Sequence, residues 1–296
     1  MPIRLQAAAM TDRGQIRETN EDTAFQCVVD SPDSDATGLF IVADGIGGRL
    51  QGEVASYWAV EAVKKNLSDM LALRDPRETV RFGSDEITDP KSLTNDASDT
   101  LRLNQDEILA AHAAYKSEHD YLTNRIETAV EYANSVVRRY ASHKLENASD
   151  AGTTLTMALV TGPNAFVANV GDSRTYLLRD RHLHQITRDH SYVQRLIEGG
   201  FIEESDRFDH PHRNLIHRSL GSDDAVKVDT FNVKLRAGDY LLLCTDGLWE
   251  MVHDTSTMAA IIAEAPTPAA ACQSLVEEAN SAGGEDNVGV VVVKVL

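Results

Sequence analysis

Basic charge is scarce in this chain of 296 residues: 28 Lys and Arg stand against 46 Asp and Glu, a formal net charge of −18. Surfaces that track phosphate backbones or anionic lipid need clustered Lys and Arg, so the deficit argues against nucleic-acid and membrane partners. Cysteine is nearly absent. Its three copies, Cys27, Cys244 and Cys272, are an odd count without CxxC spacing, which excludes a disulfide scaffold and predicts reduced intracellular thiols. Long apolar runs are missing as well. The valine stretch at 288–293 falls far short of the ~20 residues that cross a bilayer. Arg4 and Gln6 stand where a signal peptide needs an unbroken apolar segment. A soluble, cytoplasmic monomer is the expectation. Hydrophobic content of 42% with 25% charged residues is ordinary for a packed globular core.

Several short aliphatic runs end in turn or acidic residues. They are Leu39 to Ala43 before Asp44, Thr153 to Val160, Ala165 to Val170 before Gly171-Asp172, Tyr240 to Cys244 before Thr245-Asp246, and Asn287 to Leu296. Their composition predicts strands, several buried on both faces because apolar residues do not alternate with polar ones. Helical spacing appears over Glu53 to Met70, and again over Leu122 to Leu145 through Ile126, Val130, Ala133, Val137 and Tyr140. Pro266 and Pro268 separate two further helices, around Met258 to Glu264 and Ala269 to Ala282. Strands and helices do not alternate regularly, which disfavours a doubly wound parallel sheet. Residues Gly83 to Asp120 carry nine acids against Lys91, Arg102 and Lys116. That excess predicts a solvated acidic insertion, helical from Asn104 to Lys116.

The position of the acids is the informative feature. Asp44 ends one buried strand and precedes Gly45-Ile46-Gly47-Gly48; Asp246 ends another before Gly247; Asp286 sits in Gly283-Gly284-Glu285-Asp286-Asn287 before the valine strand. An ionised carboxylate taken out of water costs several kcal/mol unless paired or metal-bound. Few basic residues lie near these acids in sequence, so hard divalent cations with oxygen shells, magnesium or manganese, are the natural partners. A single Asp-Gly at a strand end is ordinarily a turn. Three of them, together with the Asp12 to Asp22 segment, Gly152-Thr153-Thr154 and Val170-Gly171-Asp172-Ser173-Arg174, point to a site.

On these blocks the sequence resembles the metal-dependent type 2C serine/threonine protein phosphatases. They are RETNED, ADGIGG with GEVAS behind it, AGTT, VGDSR, TRDHS, HPHRN with SLG, LLLCTDGLWE and GGEDN, in order from Asp12 to Asn287. The Gly-x-Gly-Gly form and HPHRN are similar to the bacterial branch. The resemblance implies an α+β fold in which two antiparallel sheets form a central sandwich flanked by helices on both faces. It implies a single catalytic domain over 1–296, with the insertion at about 83–120 and a flap at about 189–224.

The resemblance also implies chemistry. Hydrolysis of phosphoserine and phosphothreonine would use a metal-activated water at a binuclear manganese or magnesium centre. Residue by residue, Asp44 would bridge two ions, Asp246 and Asp286 would bind one of them, and Gly45 would offer its carbonyl to the other. Glu21 and Asp22 fall at or just behind the second ion's water shell, and Asp172 would hold a weaker third ion with Asp246. Arg17 would clamp the substrate phosphate, a task suited to a planar guanidinium; the plainer alternative is an ion pair with Glu21 or Asp22. Members with a His after the Asp-Gly pair use it to protonate the leaving group, but here that position is Ile46, so another group must serve. His190, His210 and His212 lie in the flap and are expected to be core or surface residues. Asp189 and Arg213 would position the flap, and Trp249 and Glu250 would pack and cap. The implied partners are phosphoserine and phosphothreonine proteins and a cognate Ser/Thr kinase. Two alternatives stand beside this reading: a binding or regulatory module with weak or lost catalysis, and a hydrolase of small phosphate esters.

Overall fold

The computed structural model describes residues 2–31, 34–47, 51–71, 105–144 and 151–296, without the side chains of 31, 105–115 and 142–144. The chain begins with β1 (Leu5–Asp12), β2 (Asp22–Ser31), β3 (Ser34–Ile46), α1 (Gln51–Asn66) and α2 (Gln105–Lys144). It continues through β4 (Gly152–Thr153), β5 (Leu155–Thr161), β6 (Asn164–Val170), β7 (Arg174–Arg179), β8 (His182–Gln185), α3 (Tyr192–Glu198) and β9 (Asp229–Lys234). Last come β10 (Tyr240–Cys244), α4 (Asp246–Trp249), α5 (Thr255–Glu264), α6 (Pro268–Ser281) and β11 (Val288–Val295).

The strands form two antiparallel sheets, ordered β1-β11-β10-β7-β8 and β2-β3-β5-β6-β9, with the short β4 paired to the end of β3. Between them lies an apolar layer in which Phe40, Val42, Ala158 and Val167 meet Leu241, Leu243, Val291 and Val293. The outer face of the second sheet is covered by α1 and α2, where Leu39 and Ile41 pack with Ala59, Val63, Ile126 and Val130. The outer face of the first is covered by α5 and α6, where Leu242, Val290 and Val292 pack with Met258, Ile262 and Leu275. The α+β sandwich expected from the sequence is thus present as four layers. It also explains the unbroken valine run, since successive β11 side chains point alternately to the other sheet and to the helices. Each such side chain contributes about 1.5–3 kcal/mol on leaving water.

Local signals set the helix ends. Thr267 Oγ1 accepts from the Ala270 amide with Pro268 in the first turn of α6, and Asp254 caps α5 by accepting from the Ser256 amide. One boundary differs from expectation. The helices anticipated at Asn104–Lys116 and Leu122–Leu145 are one 40-residue helix, α2. The intervening Ser117-Glu118-His119-Asp120-Tyr121 is polar but contains neither Gly nor Pro, so nothing ends the helix there. Residues 83–104 of the acidic insertion lie outside the described residues, as does Gly48. Among the described residues, no helix is long and apolar enough to cross a membrane.

Candidate active site

Antiparallel pairing brings the acids to one end of the sandwich. Asp22, which opens β2, stands opposite Asp44 near the end of β3 in the register of the second sheet. Asp172 follows β6, Asp246 follows β10 and opens α4, and Asp286 precedes β11. Asp44 is held by its backbone: its amide donates to Thr154 Oγ1 at 3.0 Å, and its carbonyl accepts from Thr153 Oγ1 at 2.8 Å and the Thr154 amide at 2.9 Å. Gly45 must be glycine, because a Cβ there would meet the Gly52 carbonyl oxygen at 2.2 Å and that of Glu21 at 2.6 Å. This close approach seats the start of α1 against the end of β3. Asp22 Oδ2 accepts from Thr245 Oγ1 at 2.8 Å, and Thr245 Oγ1 in turn accepts from the Gly289 amide at 2.8 Å.

The acids share one electrostatic environment. Burial, followed by the charges of Asp246, Asp22, Asp172 and Asp286, holds the Asp44 carboxyl well above the usual range. Burial, then Asp172 and Asp286, does the same to Asp246. Asp22 and Asp172 are each pushed up to about 7, chiefly by burial, and burial also raises Glu21. Asp22 Oδ1 is buried with no hydrogen-bond partner. An orphaned carboxylate oxygen, an all-oxygen donor set and mutual repulsion among acids are what a hard divalent cation relieves, so these residues fit magnesium or manganese. Among the described residues, no three His, Cys, Asp or Glu side chains already share one ion-sized position. The acids are coupled through their charge rather than preassembled around a single point.

Arg17 reaches this end from an exposed loop. Its Nη2 lies 2.5 Å from Asp286 Oδ2, so the ion pair it makes is with Asp286 and not with Glu21 or Asp22, the plainer alternative to the phosphate clamp. Burial alone would lower the Arg17 pKa, and Asp286 reverses that to a net rise. A second arginine supports the site from inside. Arg174 donates from Nε and Nη2 to Asp189, at 3.0 and 2.7 Å, and its guanidinium carbon lies 3.5 Å from the centroid of the Trp249 ring. Trp249 Nε1 donates to the Asp172 carbonyl at 3.1 Å. Arg207 Nη1 donates to Asp189 Oδ2 at 3.0 Å, which ties the segment after α3 to the same buried carboxylate. Arg213 bridges Glu250 and Glu285 at 3.2 and 3.3 Å.

The remaining candidates are placed as follows. His190 is buried; its Nδ1 accepts from the Gly171 amide at 3.0 Å, its Nε2 lies 3.2 Å from Asp229 Oδ2, and burial pushes its pKa down to about 4, so it is a hydrogen-bonded core residue. His210 is half-buried and His212 exposed, both beside Tyr192. Cys244 is wholly buried within β10 and burial raises its thiol pKa, which removes it as a nucleophile. Ile46 is half-buried opposite Gly152. Sequence reasoning assigned no role to Thr153, Thr154, Thr245 or Asn287. The available signal was that each adjoins, or pairs beside, one of the strand-end acids.

The family profile described as Protein phosphatase 2C matches residues 17–278. The serine/threonine phosphatase stp of Listeria monocytogenes is 33% identical over 290 residues, 98% of this chain and 96% of that protein. The serine/threonine protein phosphatase PstP of Mycobacterium tuberculosis is 33% identical over 293 residues, 99% of this chain and 45% of that protein. The crystal structure of the Mycobacterium tuberculosis serine/threonine phosphatase PstP/Ppp matches with a TM-score of 0.72 at 31% identity, over 98% of both chains. The PstP catalytic domain in complex with two manganese ions matches with a TM-score of 0.71 at 30% identity, over 99% of both chains.

Proposed function

The chain belongs to the protein phosphatase 2C family, and from that premise we propose that it hydrolyses phosphoserine and phosphothreonine esters of proteins at the strand-end acids. Its activity class, protein-serine/threonine phosphatase, is that of its relatives. Asp44, Asp246, Asp286 and the Gly45 carbonyl would hold two manganese or magnesium ions, with Glu21 and Asp22 on the surrounding waters and Asp172 toward a weaker third ion. Bound there, such ions supply Lewis acidity toward phosphoryl oxygen and lower the pKa of water toward about 7.

The chain's own residues do the rest. Thr153 and Thr154 fix the Asp44 backbone, Thr245 orients Asp22, and Trp249 fixes the Asp172 carbonyl. Arg17 presents a planar fork to the phosphate, which sets the orientation of the ester. Ile46 has no proton to give, so protonation of the leaving alkoxide falls to another group. The same reading treats 1–296 as one catalytic domain, with 189–224 as a flap beside the site. The ion pairs from Arg213 to Glu250 and Glu285 support that placement.

The observation that carries the proposal is the convergence of mutually repelling carboxylates from both sheets on one end that Arg17 also reaches. The test is release of phosphate from a phosphothreonine peptide. Release is expected to require manganese or magnesium and to stop with EDTA. Chelator-resistant turnover would overturn the metal-dependent reading, and metal-loaded protein without turnover would favour a binding module.

A further inference from the structure

Asn287 is the member of the Gly283–Asn287 motif that the reading above leaves without a task. It is 6% exposed. Its Nδ2 donates to the carbonyls of Arg13 and Thr19, both at 2.9 Å, and its Oδ1 accepts from the Glu21 amide at 2.8 Å. Arg13 and Thr19 bracket Arg17, so one amide group clips together the two ends of the loop that carries the guanidinium. An amide side chain offers two donors and one acceptor group, and here all of these face that loop. None is spent on the sheet or the helices behind it.

The loop needs such an anchor. Residues 13–21 contain no strand or helix. Its other described ties include the Gln15 amide to the Gly284 carbonyl and the Gly14 amide to Asp12 Oδ1, both at 2.8 Å, the Arg17–Asp286 pair, and the Glu21 carbonyl, which accepts from Ser56 Oγ at 2.6 Å and the Gly45 amide at 3.2 Å. Gly14, at φ 77°, packs where a Cβ would meet the Asp286 carbonyl oxygen at 2.2 Å. Thus the turn before β11 places Asp286 through its backbone and the Arg17 loop through the Asn287 side chain. Loop and acid are held in register by neighbouring residues.

We infer that Asn287 is a positioning residue for the phosphate contact of Arg17, fixing the reach of the loop without touching substrate. The inference rests on Arg17 as the phosphate-binding group proposed above. Displacing such a group by about 1 Å can cost about 10²-fold in rate, even when the mutated residue is remote from the chemistry.

The test combines Asn287→Ala and Asn287→Ser, each alone and together with Arg17→Ala, in the full chain with saturating manganese. Hydrolysis of para-nitrophenyl phosphate and its inhibition by inorganic phosphate are measured, with manganese affinity by calorimetry. Either Asn287 variant is expected to lower kcat/KM about 10–100-fold and to weaken phosphate inhibition in parallel. In the Arg17→Ala background the same change is expected to alter both by less than about 2-fold, because coupled residues are not additive. Manganese affinity should stay at the wild-type value. Equal losses in both backgrounds, or a manganese affinity that falls with the activity, would overturn the inference, since Asn287 would then act through the general fold or through Asp286. If Arg17→Ala alone spares kcat/KM and phosphate inhibition, the role proposed for Arg17 fails instead, a separately readable outcome. Should Asn287→Ala not fold, Asn287→Ser carries the cycle. Amide exchange at residues 14–19 then reads the loop directly: faster exchange is expected, and unchanged protection would refute the clip.

Discussion

Arg17 and Asp286, 269 positions apart in the chain, meet through a 2.5 Å contact between Nη2 and Oδ2. The pair joins an exposed loop to the acid that precedes β11, and it leaves other guanidinium donors to face a phosphate. A lysine would keep the charge but lose the planar fork.

Arg17→Lys is therefore expected to raise KM for a phosphopeptide about 10-fold or more, because a point charge does not replace two parallel hydrogen bonds. Steady-state kinetics on one phosphothreonine peptide measure it. A variant with wild-type KM would show that the fork is not used.

Asp246→Asn removes a charge without removing volume from the half-buried rim of β10. The protein should stay folded by circular dichroism while manganese affinity falls by about 10-fold or more, since an amide is a poorer ligand for a hard cation than a carboxylate. Calorimetric titration that matches the wild type would remove Asp246 from the metal site.

The raised acids predict a pH dependence of metal stabilisation. For Asp22 and Asp172 the pKa in the fold is about 7, above the ordinary carboxylate value of 3.8. Their contribution to stability is therefore greatest below the ordinary value and is lost as pH rises toward 7. Cations bind the ionised forms and offset that loss. The gain in Tm on adding manganese should grow between pH 5 and about 7.5 and then level off. His190, whose lowered pKa gives a pH dependence opposite to that of the acids, contributes equally with and without metal and so cancels in the difference. A gain that is flat across this range would contradict the assignment.

Asp189 is the shared acceptor of Arg174 and Arg207, with its side chain fully buried. Asp189→Asn leaves two buried guanidinium groups without their carboxylate. The expected cost is about 3–5 kcal/mol by chemical denaturation, typical of a broken buried ion pair. A loss under about 1 kcal/mol, the level of an exposed pair, would show that the network is not a structural support.

How much of this was legible in the sequence depended on whether a signal was local. The β10 and β11 strands and the helix after Pro266 were readable within a residue or two, and the helix before it within three, because continuous apolar runs and capping residues report their own neighbourhood. Strands β7, β8 and β9 were not anticipated, and neither were β1 and β2. The half-buried residues of these last two at the sandwich edge, alanine-rich in β1, carry no strong pattern. The interruption expected within α2 reflected charge density, which by itself does not end a helix.

The sequence alone determined the chemistry available: acids at strand ends, glycines beside them, a single arginine in the RETNED block, and too little basic charge for a nucleic-acid surface. Tertiary structure decided which of these groups face one another. Arg17 pairs with Asp286 rather than with its neighbours Glu21 and Asp22, Asp22 is oriented by Thr245, and Asn287 clips the loop that carries Arg17. The reason is physical. Residue type sets charge and hydrogen-bonding capacity, whereas pairings across more than 200 positions follow only from antiparallel register and from the close packing of two sheets.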